Sequence, residues 1–376
     1  MIYPIAKTSG ILYRRVIKPI LFLQSPDRIH ASTISLGSLI GRAPVMASVI
    51  RRILRDDHLD TLSQTIDGVY FQNPIGLAAG LDKNAEILPL MPAVGFGFST
   101  VGSVTHQPCA GNPKPWYFRL PKYKSLLVHN GLANEGIVQV LSRIAKMQRD
   151  DLKHHPVVLS VAKTNVPEVC TDDAAIADYI GSLTMLEGDT DISVAEINIS
   201  CPNTFGGEPF TDAPRLEKLL DAVDELGIHI PVWVKMPINL PWDEFRSLLD
   251  VIIAHDVQGV TIGNLNKSRA SLTPGDLPDS TKGNLSGLPT RELSDSLISQ
   301  TFQYCGGKLT IIGVGGIFSA EDAYRKICLG ANLVELITGV IYEGPQLVGQ
   351  MNRDLDRLIK KDGFETVADA VGSRAS

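Results

Sequence analysis

The chain has 376 residues, 44% of them hydrophobic and 20% charged, which is ordinary for a soluble globular protein and ample for a large core. Five scattered cysteines without a CxxC pair exclude a disulfide framework and a zinc site, so we expect reduced thiols and no metal. The net charge is −6, and we expect no nucleic-acid partner.

The N-terminal segment, residues 1–55, is strongly basic. It holds nine Lys or Arg residues and one acidic residue, Asp27, for a net charge of +8, which leaves −14 on residues 56–376. Apolar residues recur at helical spacing in 11–17 and 20–23, but no run approaches the roughly 18 residues that span a bilayer. The segment lacks a signal-peptide pattern and predicts helices lying on an anionic membrane surface. The alternative, a helical cap packed on the main domain, is compatible with this.

From about residue 67 onward, short apolar runs alternate with amphipathic stretches. Eight such runs over roughly 270 residues are typical of a TIM (β/α)₈ barrel, an α/β fold. The main competitor is a doubly wound sheet, which usually carries its glycine-rich loop after the first strand, whereas the glycine-rich signal here comes late. The eight runs are 75–79, 98–101, 157–161, 194–197, 231–234, 259–262, 309–312 and 333–337.

Polar residues follow several of these runs. In a TIM barrel the chemistry lies at the carboxyl ends of the strands, so these residues are candidates as a group. Each alone would be interpreted as a solvated turn residue. They are Lys83, Ser103, Lys163, Asn198, Lys235 and Asn264.

Two late glycine motifs predict a phosphate site. The sequence GVGGI, 313–317, follows the seventh run, and Thr338 and Gly339 follow the eighth. Glycine lets backbone N–H groups approach an anion, and such barrels hold phosphate after strands seven and eight. The alternative is a pair of tight turns that need positive φ.

Taken together, the motifs resemble the dihydroorotate dehydrogenases, and specifically their membrane-associated, quinone-using class. The resemblance spans residues 1 to about 350. The matching stretches are LFLQSPDRIHAS (21–32), NPIGLAAGLDKNAE (73–86), GNPKPWYFRLP (111–121), EINISCPNT (196–204), NLSGLPT (284–290), IIGVGGI (311–317) and LVELITG to EGP (333–345).

The resemblance implies three regions and a location. Residues 1–66 would be the helical, membrane- and quinone-associating segment, 67–362 an FMN-binding (β/α)₈ barrel, and 363–376 a polar tail. We therefore expect a peripheral membrane protein, on the cytoplasmic face of the inner membrane if the source is bacterial.

The resemblance also implies the residues that bind FMN. Ala78, Ala79 and Lys83 would lie against the flavin, and Lys235 near its pyrimidine end, where positive charge stabilises the reduced ring. The phosphate arm would be held by Gly287, Gly315, Gly316, Thr338 and Gly339. The remaining cofactor positions are Ser103, Lys163, Asn198 and Gly263.

A dihydropyrimidine-like substrate would bind beside the flavin. Such a ring alternates donors and acceptors, which suits side-chain amides because they offer both. The substrate residues implied are Lys83, Asn130, Asn198, Asn203, Thr204 and Asn264.

Cys201 occupies the position of the family's catalytic base, which removes a carbon-bound proton while hydride leaves for flavin N5. A thiolate can serve as base, with a reference pKa of roughly 8.5 that the site could lower. The membrane-associated class has serine here and the soluble class cysteine. The alternative interpretation of Cys201 is a small buried hydrophobe.

Three other residues depart from the family pattern. Val128 replaces a substrate-binding asparagine, and Leu265 replaces a serine or threonine. Ile337 replaces a tyrosine near flavin and quinone. A lost hydrogen bond to a buried polar group costs about 1–3 kcal/mol, although Asn130 or His129 would compensate if the loop shifts.

The resulting hypothesis is FMN-dependent oxidation of dihydroorotate to orotate, with quinone reoxidising the flavin. His30 and Arg119 match positions that line the quinone tunnel in this class; otherwise they would be surface residues. The runner-up is a related enzyme acting on another ring or enone-like substrate. A third hypothesis is a non-catalytic FMN-binding or membrane-docked partner protein.

Overall fold

The computed structural model describes residues 8–55, 59–147, 152, 154–186, 188, 191–277 and 281–375. The first seven residues of the predicted N-terminal region and the last residue of the predicted tail lie outside these ranges. The strands are β1 (Gln64–Ile66), β2 (Val69–Phe71), β3 (Ile75–Leu77), β4 (Phe98–Val104), β5 (Tyr117–Leu120), β6 (Ser125–Val128), β7 (Val157–Val161), β8 (Val194–Asn198), β9 (Val232–Met236), β10 (Gly259–Ile262), β11 (Asn284–Leu285), β12 (Thr310–Val314) and β13 (Leu333–Leu336).

A π-helical turn, Tyr13–Ile17, leads into the first α-helix. The α-helices are α1 (Lys18–Phe22), α2 (Pro26–Gly41), α3 (Pro44–Leu54), α4 (Met91–Val94), α5 (Ile137–Ile144), α6 (Asp172–Leu183), α7 (Ala213–Leu226), α8 (Trp242–Ala254), α9 (Arg291–Cys305), α10 (Ala320–Cys328), α11 (Thr338–Glu343), α12 (Leu347–Lys361) and α13 (Val367–Ala370).

Eight parallel strands close into a barrel in the order β10-β12-β13-β3-β4-β7-β8-β9. All eight apolar runs predicted from the sequence form these strands. Strands β4, β7, β8 and β9 are buried along their whole length, because side chains fill the barrel and helices cover its outside. The TIM barrel is confirmed, and closure excludes the doubly wound sheet, which has two open edges.

The antiparallel hairpin β1-β2 closes the amino end of the barrel. Ile66 and Phe71 pack with residues of six barrel strands, including Trp233, and Trp233 Nε1 donates to Asp67 Oδ2 at 2.9 Å. Because this end is plugged, the carboxyl end is the one open to ligands. Gln64 pairs with Phe71 in this hairpin. The hairpin therefore crosses residue 66, where the predicted N-terminal region ends.

A second, three-stranded sheet in the order β11-β6-β5 is packed outside the barrel. Its strands come from the loops that follow β4 and β10, and both loops leave the carboxyl end of the barrel. The pair Asn284↔Val128 joins these two loops. The sheet thus holds Val128 and the strand β5 beside the open end of the barrel.

The N-terminal helices pack on the barrel by one face, as the helical prediction required. Ile34 and Gly37 of α2 are buried, and a Cβ on Gly37 would lie 2.7 Å from Ile87. Tyr13 OH donates to the Ile341 carbonyl at 2.8 Å. Their other face exposes apolar side chains: Ile11, Leu12, Val16, Ile17, Ile20, Leu23, Leu36, Leu39, Val45, Met46, Val49 and Ile53.

Membrane contact by this segment stays a prediction. Within the described residues, α2 and α3 reach the length and hydropathy of a span only as a pair bent by 105°, and neither helix does so alone. The exposed apolar face and the packed face lie on the same helices. The cap and the membrane-surface interpretations are therefore compatible in this fold.

The C-terminal segment packs against the barrel's outer helices. Val367 and Ala370 of α13 are fully buried. The backbone N–H groups of Gly372 and Arg374 donate to the carbonyls of Ile327 and Cys328 at 3.0 and 2.8 Å. Residues 363–375, predicted as a polar tail, are thus fixed to the end of α10.

Candidate active site

Two adjoining cavities open at the carboxyl ends of the barrel strands. The larger, about 260 Å³, extends from α2 into the barrel mouth. The smaller, about 110 Å³, lies at the ends of β12 and β13. Seven residues line both cavities, which therefore adjoin each other: Ala79, Lys235, Asn264, Leu265, Ser286, Ile337 and Thr338.

The residues predicted from the sequence converge on these cavities. The larger cavity is lined by His30, Ala79, Lys83, Ser103, Arg119, Asn130, Asn198, Cys201, Asn203, Lys235, Asn264 and Thr338. The smaller is lined by Ala78, Gly263, Gly287, Gly315, Gly316 and Gly339. The other two, Lys163 and Thr204, line a pocket of about 10 Å³ behind Asn198 and Cys201.

The glycines of the smaller cavity are required by close packing. Gly287 and Gly315 have φ of 73° and 109°, and a Cβ on either would lie 2.4 Å from a neighbouring oxygen. A Cβ on Gly339 would lie 2.1 Å from the Ile317 carbonyl. These contacts support the tight-turn interpretation of the glycines, and the phosphate site stays a prediction.

A buried charge cluster forms the floor of the site. Lys235, 5% exposed, has its Nζ 3.9 Å from Glu196 Oε1. Among the described residues, its ammonium makes this ion pair and no hydrogen bond. Because a buried ammonium has three N–H donors to satisfy, Lys235 fits a ligand with acceptor atoms in the adjoining cavity.

Glu335 completes the cluster and was not predicted from the sequence. Burial, and then the negative charge of Glu196, raises the pKa of Glu335 to about 8, against the effect of Lys235. Thr100 donates a hydrogen bond to Glu335, and Thr261 Oγ1 donates to Glu196 Oε2 at 2.7 Å. The apolar pattern of β8 and β13 concealed these two inward carboxyls.

Two asparagines form hydrogen bonds with the loop that carries Cys201. Asn198 Oδ1 accepts from the N–H and the hydroxyl of Ser200, each at 3.1 Å. Asn264 Nδ2 donates to the Ser200 carbonyl at 2.9 Å. Since Ser200 immediately precedes Cys201, these amides fix the position of the thiol at the cavity wall.

The protein raises the pKa of Cys201 to about 11. Burial is the main cause, and Glu208 adds to it, whereas a backbone hydrogen bond from Asn203 and the charges of Lys163 and Lys235 oppose it. The sequence left open that the site could lower this pKa, but burial raises it, because desolvation disfavours the thiolate. Cys201 is therefore a thiol at neutral pH in this environment.

The loop 127–134 carries a buried donor, Asn130 Nδ2, that is unpaired within the described part of the chain. Asn130 Oδ1 accepts from the Ala133 N–H at 2.9 Å, while its buried Nδ2 has no partner among the described residues. Val128 contributes only its carbonyl, which accepts from Asn203 Nδ2 at 3.3 Å. Of the two compensating residues considered for Val128, Asn130 lines the cavity and His129 does not.

At the helix end of the cavity, Lys83 Nζ lies 3.2 Å from His30 Nε2 and donates to Tyr117 OH at 2.9 Å. Burial, with Lys83 nearby, lowers the pKa of His30 to about 3, so the imidazole is neutral. Arg119 lies over the Phe22 ring at 4.5 Å and donates to the Gln24 carbonyl at 2.7 Å.

Tyr117 was missed by the sequence reasoning. The available signal was strand alternation, since residues 117 and 119 of one strand share a face.

Within the residues described, no group of three or more His, Cys, Asp or Glu side chains is arranged to hold a metal ion.

Comparisons with known proteins show the family of this chain. Residues 61–359 match the family model for dihydroorotate dehydrogenase. A dihydroorotate dehydrogenase (quinone) of Deinococcus deserti is 36% identical over 97% of this chain and 100% of its own length. One of Acidithiobacillus ferrooxidans is 35% identical over 96% and 99%.

The solved structures lead to the same family. The DHODH of Eimeria tenella in complex with ferulenol superposes with a TM-score of 0.79 at 27% identity, over 93% of this chain and 95% of that one. Its ligand-free form gives 0.78 at 26% identity. The chain therefore belongs to the dihydroorotate dehydrogenase family, within its quinone-type class.

Proposed function

We propose that the chain is an FMN-dependent enzyme that oxidises dihydroorotate to orotate and passes the electrons to a quinone. One observation carries the proposal. Two adjoining cavities bring together the glycines of the smaller cavity, the buried Lys235, the thiol of Cys201 and the helix-side residues His30 and Arg119. The names of the curated relatives support the same substrate and acceptor.

The residues around these cavities fit FMN. Gly287, Gly315, Gly316, Thr338 and Gly339 would hold its phosphate arm, because their backbone surrounds the smaller cavity. Lys235, whose ammonium makes no hydrogen bond among the described residues, would donate hydrogen bonds to the flavin. FMN supplies the capacity to accept an electron pair from one substrate and return it to another.

Cys201 would remove a proton from the substrate carbon next to a carbonyl. The Asn130 Nδ2, which has no partner in the described part of the chain, would donate to the ring of the substrate. Asn203, which lines the same cavity and donates through Nδ2 to the Val128 carbonyl, would help to orient the ring. Thr204 and Lys163 lie behind the thiol and would act by holding its loop.

The test is turnover by a Cys201→Ala variant, measured as orotate formed from dihydroorotate with decylubiquinone. We expect turnover to fall by about 100-fold or more while bound FMN stays unchanged. Cys170→Ala, which removes an exposed thiol, is the matched control. Wild-type protein that binds FMN but turns over no tested substrate would favour the non-catalytic binding protein instead.

A second candidate keeps the flavin and the base but acts on another ring or enone-like substrate. The supporting observation is that Val128 and Leu265 both line the larger cavity, where their side chains offer no hydrogen bond. Val128→Asn separates the two candidates. Raised dihydroorotate activity would indicate a pocket adapted to another substrate, whereas lowered activity would indicate a loop already fitted to dihydroorotate.

We also propose that the N-terminal helices hold the protein at a membrane surface, on the cytoplasmic side of the inner membrane if the source is bacterial. The exposed apolar side chains of α2 and α3 and the basic residues among them support this location. A quinone would then enter the larger cavity from the lipid side.

A further inference from the structure

The phenol of Tyr117 lines the larger cavity beside His30 of α2, with the two ring centroids 5.4 Å apart. Pro26, Ile29 and Thr33 of α2 line the helix side, and Ser103 and Asn198 line the barrel side. An occupant of the helix side would therefore be apolar and would have Tyr117 as a polar neighbour. Nothing in the proposed function so far uses this hydroxyl.

The hydrogen-bond pattern leaves the Tyr117 proton available. Its oxygen accepts from Lys83 Nζ at 2.9 Å, and among the described residues its hydroxyl has no acceptor. Lys83 Nζ is also 3.2 Å from His30 Nε2, which as the ring nitrogen facing an ammonium acts as acceptor. His30 thus orients the ammonium, and the ammonium polarises the phenol toward donation.

We propose that Tyr117 is the catalytic proton donor to the quinone, with Lys83 restoring its proton; this rests on the proposed function. Reducing a quinone to a quinol requires two electrons and two protons. Bound FMN in its reduced form would supply the electron pair and one proton. The Tyr117 O–H bond would break to give the second proton, which forms the quinol O–H. Lys83 breaks an N–H bond to reprotonate the phenol, and water reprotonates Lys83.

The experiment isolates the oxidative half-reaction. FMN-loaded protein is reduced anaerobically with one equivalent of dithionite and mixed with decylubiquinone, and flavin absorbance is followed. For Tyr117→Phe we expect reoxidation about 100-fold slower than in the wild type. Reoxidation by ferricyanide, which takes electrons without protons, should stay within twofold, and so should flavin reduction by dihydroorotate.

Tyr70→Phe removes an exposed tyrosine hydroxyl in β2, at the far end of the barrel, and should leave all three rates unchanged. Quinone reoxidation of Tyr117→Phe at the wild-type rate would overturn the proposal. Equal slowing with ferricyanide would overturn it too, because the flavin itself would then be perturbed. Chemical reduction keeps this test separate from the substrate, so failure of dihydroorotate to reduce the flavin would count against the proposed function alone.

Discussion

Cys201 is the residue whose protonation should govern the rate of flavin reduction. Its pKa is raised to about 11, chiefly by burial, and only the thiolate accepts a proton from carbon. At pH values below this pKa, each increase of one pH unit raises the thiolate fraction about tenfold. We predict that flavin reduction by dihydroorotate accelerates almost tenfold per pH unit between pH 6 and 9, measured by anaerobic stopped flow. A rate independent of pH over this range would exclude a Cys201 thiol with this raised pKa as the base.

Glu335 should make stability depend on pH. Its folded-state pKa of about 8 lies above the ordinary 4.5, so the folded protein binds more protons than the unfolded chain between these values. Glu335 makes its full favourable contribution to the free energy of unfolding below about pH 4.5, and this contribution is lost as the pH rises through 8.

Glu335→Gln removes that ionisation. We predict that the free energy of unfolding of the variant in urea falls less than the wild type's between pH 5 and 8, by on the order of 1–3 kcal/mol. The exposed substitution Glu225→Gln is the control. Parallel pH dependence in wild type and Glu335→Gln would show that this carboxyl is already ionised in the folded protein.

The close packing of helix α3 against helix α12 positions the N-terminal segment on the barrel. A Cβ on Gly349 of α12 would lie 1.7 Å from the Leu54 carbonyl at the end of α3, and a backbone carbonyl cannot rotate away as a side chain does. We predict that Gly349→Ala lowers the free energy of unfolding by about 1–3 kcal/mol and slows reoxidation by decylubiquinone. Flavin reduction by dihydroorotate should be unaffected.

The control for this prediction is Ser35→Ala, at an exposed position of α2, which should change neither quantity. If Gly349→Ala slows both half-reactions equally, the N-terminal helices support the barrel site itself and not the quinone end alone.

The barrel strands were predictable because burial on both faces leaves a continuous apolar run, as in residues 157–161. The sheet β11-β6-β5 was not, since its strands are short and the partners Asn284 and Val128 are far apart in sequence. The strand-end rule located Asn198 and Lys235 at the cavity. It missed Tyr117, which belongs to the outer sheet, and Glu335, because the apolar run 333–337 contains Glu335 whereas the run 231–234 ends before Lys235.

For the whole molecule, charge asymmetry should direct membrane binding. The basic N-terminal segment and the acidic remainder place the positive charge on the helices that also expose apolar side chains. We predict that Arg51→Glu with Arg52→Glu weakens sedimentation with phosphatidylglycerol vesicles at least tenfold at low salt, because each basic residue near an anionic surface contributes about 1 kcal/mol.

Lys218→Glu with Lys308→Glu makes the same change of charge at exposed sites on the barrel and should bind nearly as the wild type does. Wild-type binding should also weaken as salt is raised. Equal loss in the two double variants would mean that net charge, and not the N-terminal face, controls association.

The most direct measurement of the whole proposal is an anaerobic mix of the purified, FMN-loaded protein with dihydroorotate, followed by the flavin absorbance and by orotate. We predict rapid loss of the oxidised flavin absorbance, one orotate formed per flavin reduced, and full recovery of the colour on adding decylubiquinone. A protein that dithionite bleaches but dihydroorotate leaves yellow would contradict dihydroorotate as its substrate.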